Sequence, residues 1–489
     1  MIYVADTPLV TLSGTDCRVD AVRLNTGTDY TDTVVEKKAS YVFNAYRTGG
    51  AVDKTEGNLF IIYDYLINAA YEIVSFAADF EVPSLYIKQG IVYLDKGGFE
   101  VEVLKSDIPS AQSTVRKYLS GFVEKRLVAM SNTWGDCNGT TRVCEEFVKR
   151  EIDAAKELGL DCMQIDDGWQ LGSTADVSRR NEKGERVFDG DFWEENTERF
   201  PNGLKEIGRY ANDKAVKLGI WFAPDYHGCF HHAKRDIDIL TKKNSEIGCE
   251  FIKLDMLLIL CREDKESFVD FCQRLKGLAL LELDVTLGKR LGYLLSLKQG
   301  IIFVENRYTK FGNYIPSRTL KNIWELGTYL PLQALQAELS NPDLNKEEYS
   351  TPFAPCNYTM DYLFATVCFA NPLFWLEVQF LSDERKKELS RIMPVWKTVR
   401  DEIALCDIQP IGECPTGRSF TGFFACGEKC YAVVFRELTE NDSFTYTLNR
   451  EFTSAEVLAG NCEVTATPAS NGISVTFSHK NAYALISLS

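Results

Sequence analysis

A lysine and an aspartate two residues apart, Lys253 and Asp255, interrupt the apolar run EFIKLDMLLIL at residues 250–260. Such a run marks a strand covered on both faces, and on a strand residues two apart point to the same side. Carrying an ammonium and a carboxylate into that setting costs several kcal/mol per ion unless they pair or do work. The run therefore holds either a buried salt bridge or a site. Other strand-like runs end in similar side chains: Asn132 and Trp134, Asp166, Asp167 and Trp169, Asp225 and His227, Glu282 and Asp284, Glu305 with Asn306 and Arg307, Glu338 and Asn341, and Glu377. Trp221 lies inside the run before Asp225. Carboxylates beside tryptophan suit a carbohydrate, because hydroxyls want strong acceptors and the C–H faces of a sugar stack on indole. Two carboxyl groups flanking a glycosidic bond can serve as nucleophile and acid/base. The plainer reading of the same acids is that they cap the following helices or pair with Lys and Arg. No Gly-rich phosphate loop is present.

The elements that must hold these residues follow from the periodicity. Between residues 123 and 402, strand-like runs alternate with amphipathic helical patterns, as in RLVAMSNTW, RVCEEFVKREIDAAKELG and LDCMQIDDGW. Helices that end in Gly directly before a strand fit the left-handed C-cap rule. Eight such units over about 280 residues predict a (β/α)8 TIM barrel, a fold that places its chemistry at the C-terminal ends of its strands. Residues 1–122 alternate apolar and polar runs with turn residues and are expected to form an N-terminal β-rich domain. Residues 403–489 read as short strands divided by Gly, Asn, Asp and Ser, suited to a C-terminal antiparallel β-sandwich.

Composition limits the partners. The 489 residues carry a formal charge of −16 with 45% hydrophobic and 25% charged residues, which is the make-up of a globular protein and argues against nucleic acid. No stretch approaches 18 uninterrupted apolar residues, and the N-terminus lacks a basic segment followed by an apolar one, so no membrane association and a cytoplasmic location are expected. The 15 cysteines are scattered and read as buried free thiols. Cys426 and Cys430 have no second Cys/His pair nearby for zinc. His227 and His231 are four apart, but Gly228 and a loop position argue against a helix that would align them, and no acidic third ligand sits at motif spacing. No metal and no cofactor are expected. A substrate-contacting or capping role suits His227, and Trp134, Trp169 and Trp221 are packing or stacking residues, with Trp169 the favoured platform because it directly follows DDG.

MQIDDGWQ at 163–170, RFPNGLKEIGRYANDKAVKLGIWFAPD at 199–225 and EFIKLDM at 250–256, taken together, resemble the melibiase group. These are the α-galactosidases and α-N-acetylgalactosaminidases of glycoside hydrolase families 36 and 27, with family 36 the nearer. The likeness covers roughly residues 126–310 and implies a barrel between two β domains. By this resemblance Asp255 is the nucleophile that forms a covalent glycosyl-enzyme. Lys253 hydrogen-bonds sugar hydroxyls, and Asp166 and Asp167 clamp the 4-OH and 6-OH of galactose.

The chain also departs from the family. Where family 36 carries Glu-x-Cys-x-Ser-Gly-Gly-Gly-Arg-x-Asp, this sequence reads ELDVTLGKRLG at 282–292. Glu282 and Arg290 keep register, Asp284 replaces the cysteine and Gly292 the final aspartate, so the contacts to the sugar 2-position differ. The following strand, FVENRYTKFGNY, has Asn306 and Thr309 near the family's acid/base aspartates, and neither can protonate a leaving group. Glu305 is the favoured acid/base and Asp284 the second candidate. The expected function is a retaining α-glycosidase acting on terminal α-galactosides. Its alternatives are a non-hydrolytic sugar-binding relative, an α-N-acetylgalactosaminidase or a transglycosylase. The expected partner is an oligosaccharide or glycoside, and self-association as a homo-oligomer is compatible with the architecture.

Overall fold

The computed structural model describes residues 1–13, 16–24, 34–42, 54–136, 142–172, 191–225, 227–284, 291–304 and 307–489, without the side chains of residues 16, 34–42 and 227. Its centre is a closed parallel barrel of eight strands in sequential order. These are β1 (Met130–Asn132), β2 (Cys162–Ile165), β3 (Lys217–Phe222), β4 (Cys249–Leu254), β5 (Leu280–Asp284), β6 (Ile301–Phe303), β7 (Leu335–Leu339) and β8 (Asn371–Phe374). β8 closes on β1 with Met130 opposite Leu373. Seven of them fall inside the runs read as barrel strands, and β3 begins three residues before its run IWFAPDYHG, in the KLG read as the end of the preceding helix.

Short apolar segments become these strands because both faces are covered. On the inner face the lower layer is apolar, with Met130, Cys162, Phe251, Ile301 and Leu373 in one cluster. Two residues further along β1, β2 and β4, and beside them on β5, the layer turns polar at Asn132, Gln164, Lys253 and Glu282, all buried. The alternation of strand side chains thus stacks a polar layer on an apolar plug at the C-terminal mouth.

Before the barrel stands a five-stranded antiparallel sheet, in the order Val34–Val42, Asp16–Leu24, Leu59–Asp64, Ala69–Ser75, Val101–Asp107. Its two faces serve two cores. Cys17, Val19, Ala21, Phe60 and Ile62 pack toward the four-stranded sheet built from Val10–Thr11, Ile91–Leu94, Ser84–Lys88 and Thr55–Glu56. Val22, Leu24, Leu59 and Ile61 join the large cluster of the barrel and its helices. Helix α1 (Ala111–Ser120) leads into the barrel, and its Arg116 forms an ion pair of 2.9 Å with Asp407 at the start of the C-terminal sheets. There a five-stranded antiparallel sheet, Asp407–Gly412, Phe420–Cys426, Cys430–Arg436, Ala482–Leu488, Ala455–Gly460, packs through its own apolar core against a three-stranded one, Ser443–Thr447, Gly472–Phe477, Val464–Ala469.

Four barrel helices bear on the site: α2 (Glu145–Leu158), α3 (Gly203–Lys214), α4 (Ala233–Ile247) and α5 (Arg262–Leu275). Gly159 ends α2 at φ 75° and returns the chain to β2, the turn that the KELG sequence predicts. Among the described residues no helix is long and apolar enough to cross a membrane.

Candidate active site

The β4 run raises the central question of the sequence, and β4 gives the answer. Lys253 is 2% exposed inside the barrel, with Trp221 of β3 and Glu282 of β5 as its register neighbours. Its ammonium lies 3.0 Å from Asp166 Oδ2 and 4.0 Å from Asp284 Oδ2, over the Trp375 ring at 4.8 Å and the Phe303 ring at 5.3 Å. Burial alone would lower the pKa of this ammonium, but Asp166, Asp255, Asp284 and Glu282 outweigh it and hold the group charged, above the usual lysine range. The lysine therefore reaches across the barrel to the β2 acid, rather than serving only its neighbour on the strand.

Asp255 follows the last residue of β4 and is half-buried. Its backbone N–H donates to Phe222 O at 3.1 Å. The Trp221 indole Nε1 donates to its Oδ2 at 3.1 Å, and the Met256 backbone N–H donates to its Oδ1. Two donors of fixed position thus orient the carboxylate, and Met256 adopts φ 53° to present one of them.

Asp166 and Asp167 leave β2 at the same level. Asp166 Oδ2 also accepts from Asn132 Nδ2 at 2.8 Å, while Oδ1 takes the Asp167 backbone N–H at 2.9 Å. Gln164, one pleat below, accepts from Asn132 and donates to Glu282 Oε2 at 2.6 Å, so β1, β2 and β5 are tied by one chain of hydrogen bonds. Asp167 accepts from Gln170 Nε2 through Oδ1, while its Oδ2 is buried with no hydrogen-bond partner. Burial pushes the Asp167 carboxyl up to about 7; the Gln170 bond opposes this, and the charges of Asp166 and Asp255 add to it. Burial likewise pushes Glu282 up to about 7, against Lys253 and Gln164. A buried carboxyl with an orphaned oxygen beside an oriented carboxylate is a place for a ligand hydroxyl.

The aromatic residues divide differently from the sequence expectation. Trp169 is fully buried, donates its indole N–H to Trp221 O at 3.0 Å, and packs on Trp193 at 5.7 Å. It offers no open face, so the stacking platform expected there is corrected to a packing residue. Trp221 is 2% exposed and acts as a hydrogen-bond donor to Asp255. Trp134 is half-buried, and its Nε1 donates to the Tyr308 hydroxyl at 3.1 Å. Tyr308 in turn lies 5.9 Å from Trp375, the ring under Lys253. Trp134 and Tyr308 therefore form the aromatic wall above the polar layer. Tyr308 was not singled out in the sequence, although ENRY at the end of a barrel strand carries the signal.

Glu305, Arg290 and the His227 side chain lie outside the described residues. Other strand-end residues go elsewhere. Asp225 is 3.6 Å from His232 Nε2 and 3.9 Å from Arg235, Glu377 pairs with Arg142 at 2.8 Å, and Asn341 caps the Asp343 N–H at 3.0 Å. These follow the plainer reading of strand-end polar groups. Thr309, near the family's acid/base position, is buried and accepts from Asn345 Nδ2 at 3.0 Å.

Comparison with known proteins bears on the fold and on part of the sequence. Residues 114–256 match the Melibiase family model. Alpha-galactosidase Mel36A of Lactobacillus acidophilus is 32% identical over 81 residues, 17% of this chain and 10% of that protein. The match thus spans about a tenth of the curated relative's length. A crystal structure of a variant of the GH36 alpha-galactosidase AgaA of Geobacillus stearothermophilus, with 1-deoxygalactonojirimycin bound, superposes with a TM-score of 0.69 at 12% identity, over 98% of this chain and 76% of that one. Another variant of AgaA, in complex with raffinose, gives 0.67 at 13% identity over 98% and 76%. The shared fold includes the barrel and antiparallel sheets on both sides of it, and in sequence and in fold the chain resembles the melibiase-type α-galactosidases of glycoside hydrolase family 36.

Proposed function

We propose that the chain is a retaining glycosidase that hydrolyses terminal α-galactosides, with Asp255 as the nucleophile. The observation that carries this reading is the Asp255 carboxylate held by Trp221 Nε1 and the Met256 N–H beside a buried Lys253–Asp166 pair. A carboxylate oriented by two donors can attack an anomeric carbon without first paying to order itself. Asp166, with its remaining acceptor capacity, and the orphaned Asp167 Oδ2 are suited to sugar hydroxyls. Trp134 and Tyr308 supply the stacking wall. The relative named above is an α-galactosidase, and the AgaA complex with raffinose supports an oligosaccharide as the class of substrate.

In this mechanism the carboxylate of Asp255 displaces the leaving-group oxygen while a carboxylic acid protonates it, and the carboxylate left by that acid then takes a proton from the water that releases the sugar and frees Asp255. Glu305, which follows Val304 in the sequence, is proposed as that acid. Asp284 is the less suitable candidate, because its place beside the Lys253 ammonium fits an acceptor of hydrogen bonds better than a proton donor. Arg290 and His227 are proposed as further substrate contacts, and the cytoplasm as the location.

A second reading, sugar binding without hydrolysis, draws on Asn306 and Thr309 standing where the family has its acid. A panel of nitrophenyl α- and β-glycosides separates the two. Turnover of the α-galactoside that is lost in Asp255→Asn supports the enzyme; galactose binding with no glycoside turned over supports the second reading.

A further inference from the structure

The sequence argues against a metal at the histidines of the loop after β3, but the structure brings a different set of ligand atoms together there. Cys229 Sγ, Cys261 Sγ and a carboxylate oxygen of Asp264 all lie within 4.8 Å of one another. We propose that these three residues form a binding site for a thiophilic divalent cation, zinc foremost, at the C-terminal mouth of the barrel. The proposal stands independently of the glycosidase reading.

Three features of the chain build the cluster. Cys229 sits in the short turn His227–Phe230, where Gly228, Cys229 and Phe230 all adopt left-handed backbone at φ 52°, 56° and 61°. Left-handed backbone at two successive non-glycine residues is strained and persists only where its surroundings impose it. Cys261 is the N-cap residue of α5, where its sulfur faces the Asp264 backbone N–H and the side chains of Glu263 and Asp264. Asp264, 9% exposed, is fixed because its Oδ2 accepts the Leu260 N–H at 3.0 Å. The Cys229 thiol already interacts with both Asp264 and the Cys261 sulfur.

Two thiolates and one carboxylate are a donor set that favours zinc over magnesium or calcium, which take oxygen ligands. Tetrahedral zinc with bonds of about 2.3 Å to sulfur and about 2.0–2.2 Å to oxygen sets neighbouring ligand atoms roughly 3.5–3.8 Å apart. Ligand atoms within 4.8 Å therefore need to close by at most about 1.0–1.3 Å. Binding converts two thiols to thiolates and releases their two protons to solvent, and water takes the fourth position. The consequence is mechanical: Cys261 follows Asp255 by six residues, so the cation ties the end of that loop to the loop after β3.

The test uses the full chain, reduced with a phosphine and titrated with Co2+ as a coloured probe for zinc. One Co2+ per chain with a thiolate-to-cobalt band in the near ultraviolet is expected in the wild type and in the control Cys426→Ser/Cys430→Ser. The band is expected to vanish in Cys229→Ser/Cys261→Ser, and affinity to fall at least about 10-fold in Asp264→Asn. Cys261→Ser alone, which keeps an N-cap residue, gives the same reading if the double variant folds poorly. The proposal is overturned if the band is absent from the wild type or survives unchanged in Cys261→Ser. It is equally overturned if the purified chain carries a Cys229–Cys261 disulfide and takes up no metal after reduction.

Discussion

Replacing Lys253 by methionine probes the polar layer most severely, because the side chain stays unbranched and only one atom shorter while its charge and its N–H donors are lost. The ammonium lies 3.0 Å from Asp166 Oδ2, and at an effective dielectric constant of about 20 this pair is worth roughly 5.5 kcal/mol of Coulomb attraction. Removing the cation also removes its own desolvation penalty, so the net cost should be roughly 3–5 kcal/mol, the range for breaking a buried pair from one side. The loss should depend on pH. Glu282 already titrates at about 7, with Lys253 holding it down, so the variant pushes it higher. The folded state then binds protons that the unfolded chain has released, and stability that is full below the unfolded pKa disappears as pH rises through the folded one. The deficit against wild type should be level between pH 5 and about 7, where Glu282 holds its proton in both folded proteins, and grow by up to about 1.4 kcal/mol per pH unit above that, toward pH 8. Urea unfolding at pH 5, 7 and 8, followed by tryptophan fluorescence and circular dichroism, measures it. A midpoint equal to wild type at pH 8, or a deficit that does not vary with pH, would refute the reasoning.

Three further outcomes follow from other contacts. Trp221→Phe keeps a six-membered aromatic ring and deletes the N–H that donates to Asp255, so kcat/KM on the true substrate should fall about 10- to 150-fold, corresponding to about 1.5–3 kcal/mol, without loss of fold; unchanged kinetics would remove the orienting role. Glu151, buried and pushed up to about 7, should make wild-type stability fall by roughly 3 kcal/mol between pH 5 and 8, and Glu151→Gln should flatten that slope in denaturation curves, whereas an equal slope in both proteins would contradict the assignment. Gly135→Ala sets a Cβ 2.0 Å from the Trp375 backbone carbon, so a loss of about 3 kcal/mol or more is expected from thermal unfolding, and a neutral result would count against the close approach of β1 and β8 loops.

The barrel was legible because its signals are local. Runs such as GIIF and FIKL are covered on both faces, and helices such as KELG end in a glycine that turns the chain left-handed into the next strand. Asp166, Lys253 and Asp255 were legible for the same reason, since period-2 alternation sets charged residues on the inner face. Their partners were not. The ammonium of Lys253 chooses Asp166, 87 residues away, and that choice depends on the barrel's curvature rather than on any spacing in β4. Trp169 shows the limit of adjacency: Gly168 at φ 123° turns the chain after DDG and sends the indole under Trp221 instead of into the mouth. Cys229 and Cys261 stood unnoticed for a similar reason, lying 32 positions apart on successive βα loops.

Trapping the glycosyl-enzyme tests the central claim most directly. A 2-deoxy-2-fluoro galactosyl fluoride of α configuration, or a 5-fluoro analogue, slows release of the sugar from a retaining enzyme more than its attachment. After incubation with the full chain and proteolysis, mass spectrometry should find a single fluorogalactosyl ester on the peptide that contains Asp255, with Asp255→Asn unlabelled. Label on any other carboxylate, or a chain that binds the probe and hydrolyses α-galactosides without ever carrying an ester, would contradict the account.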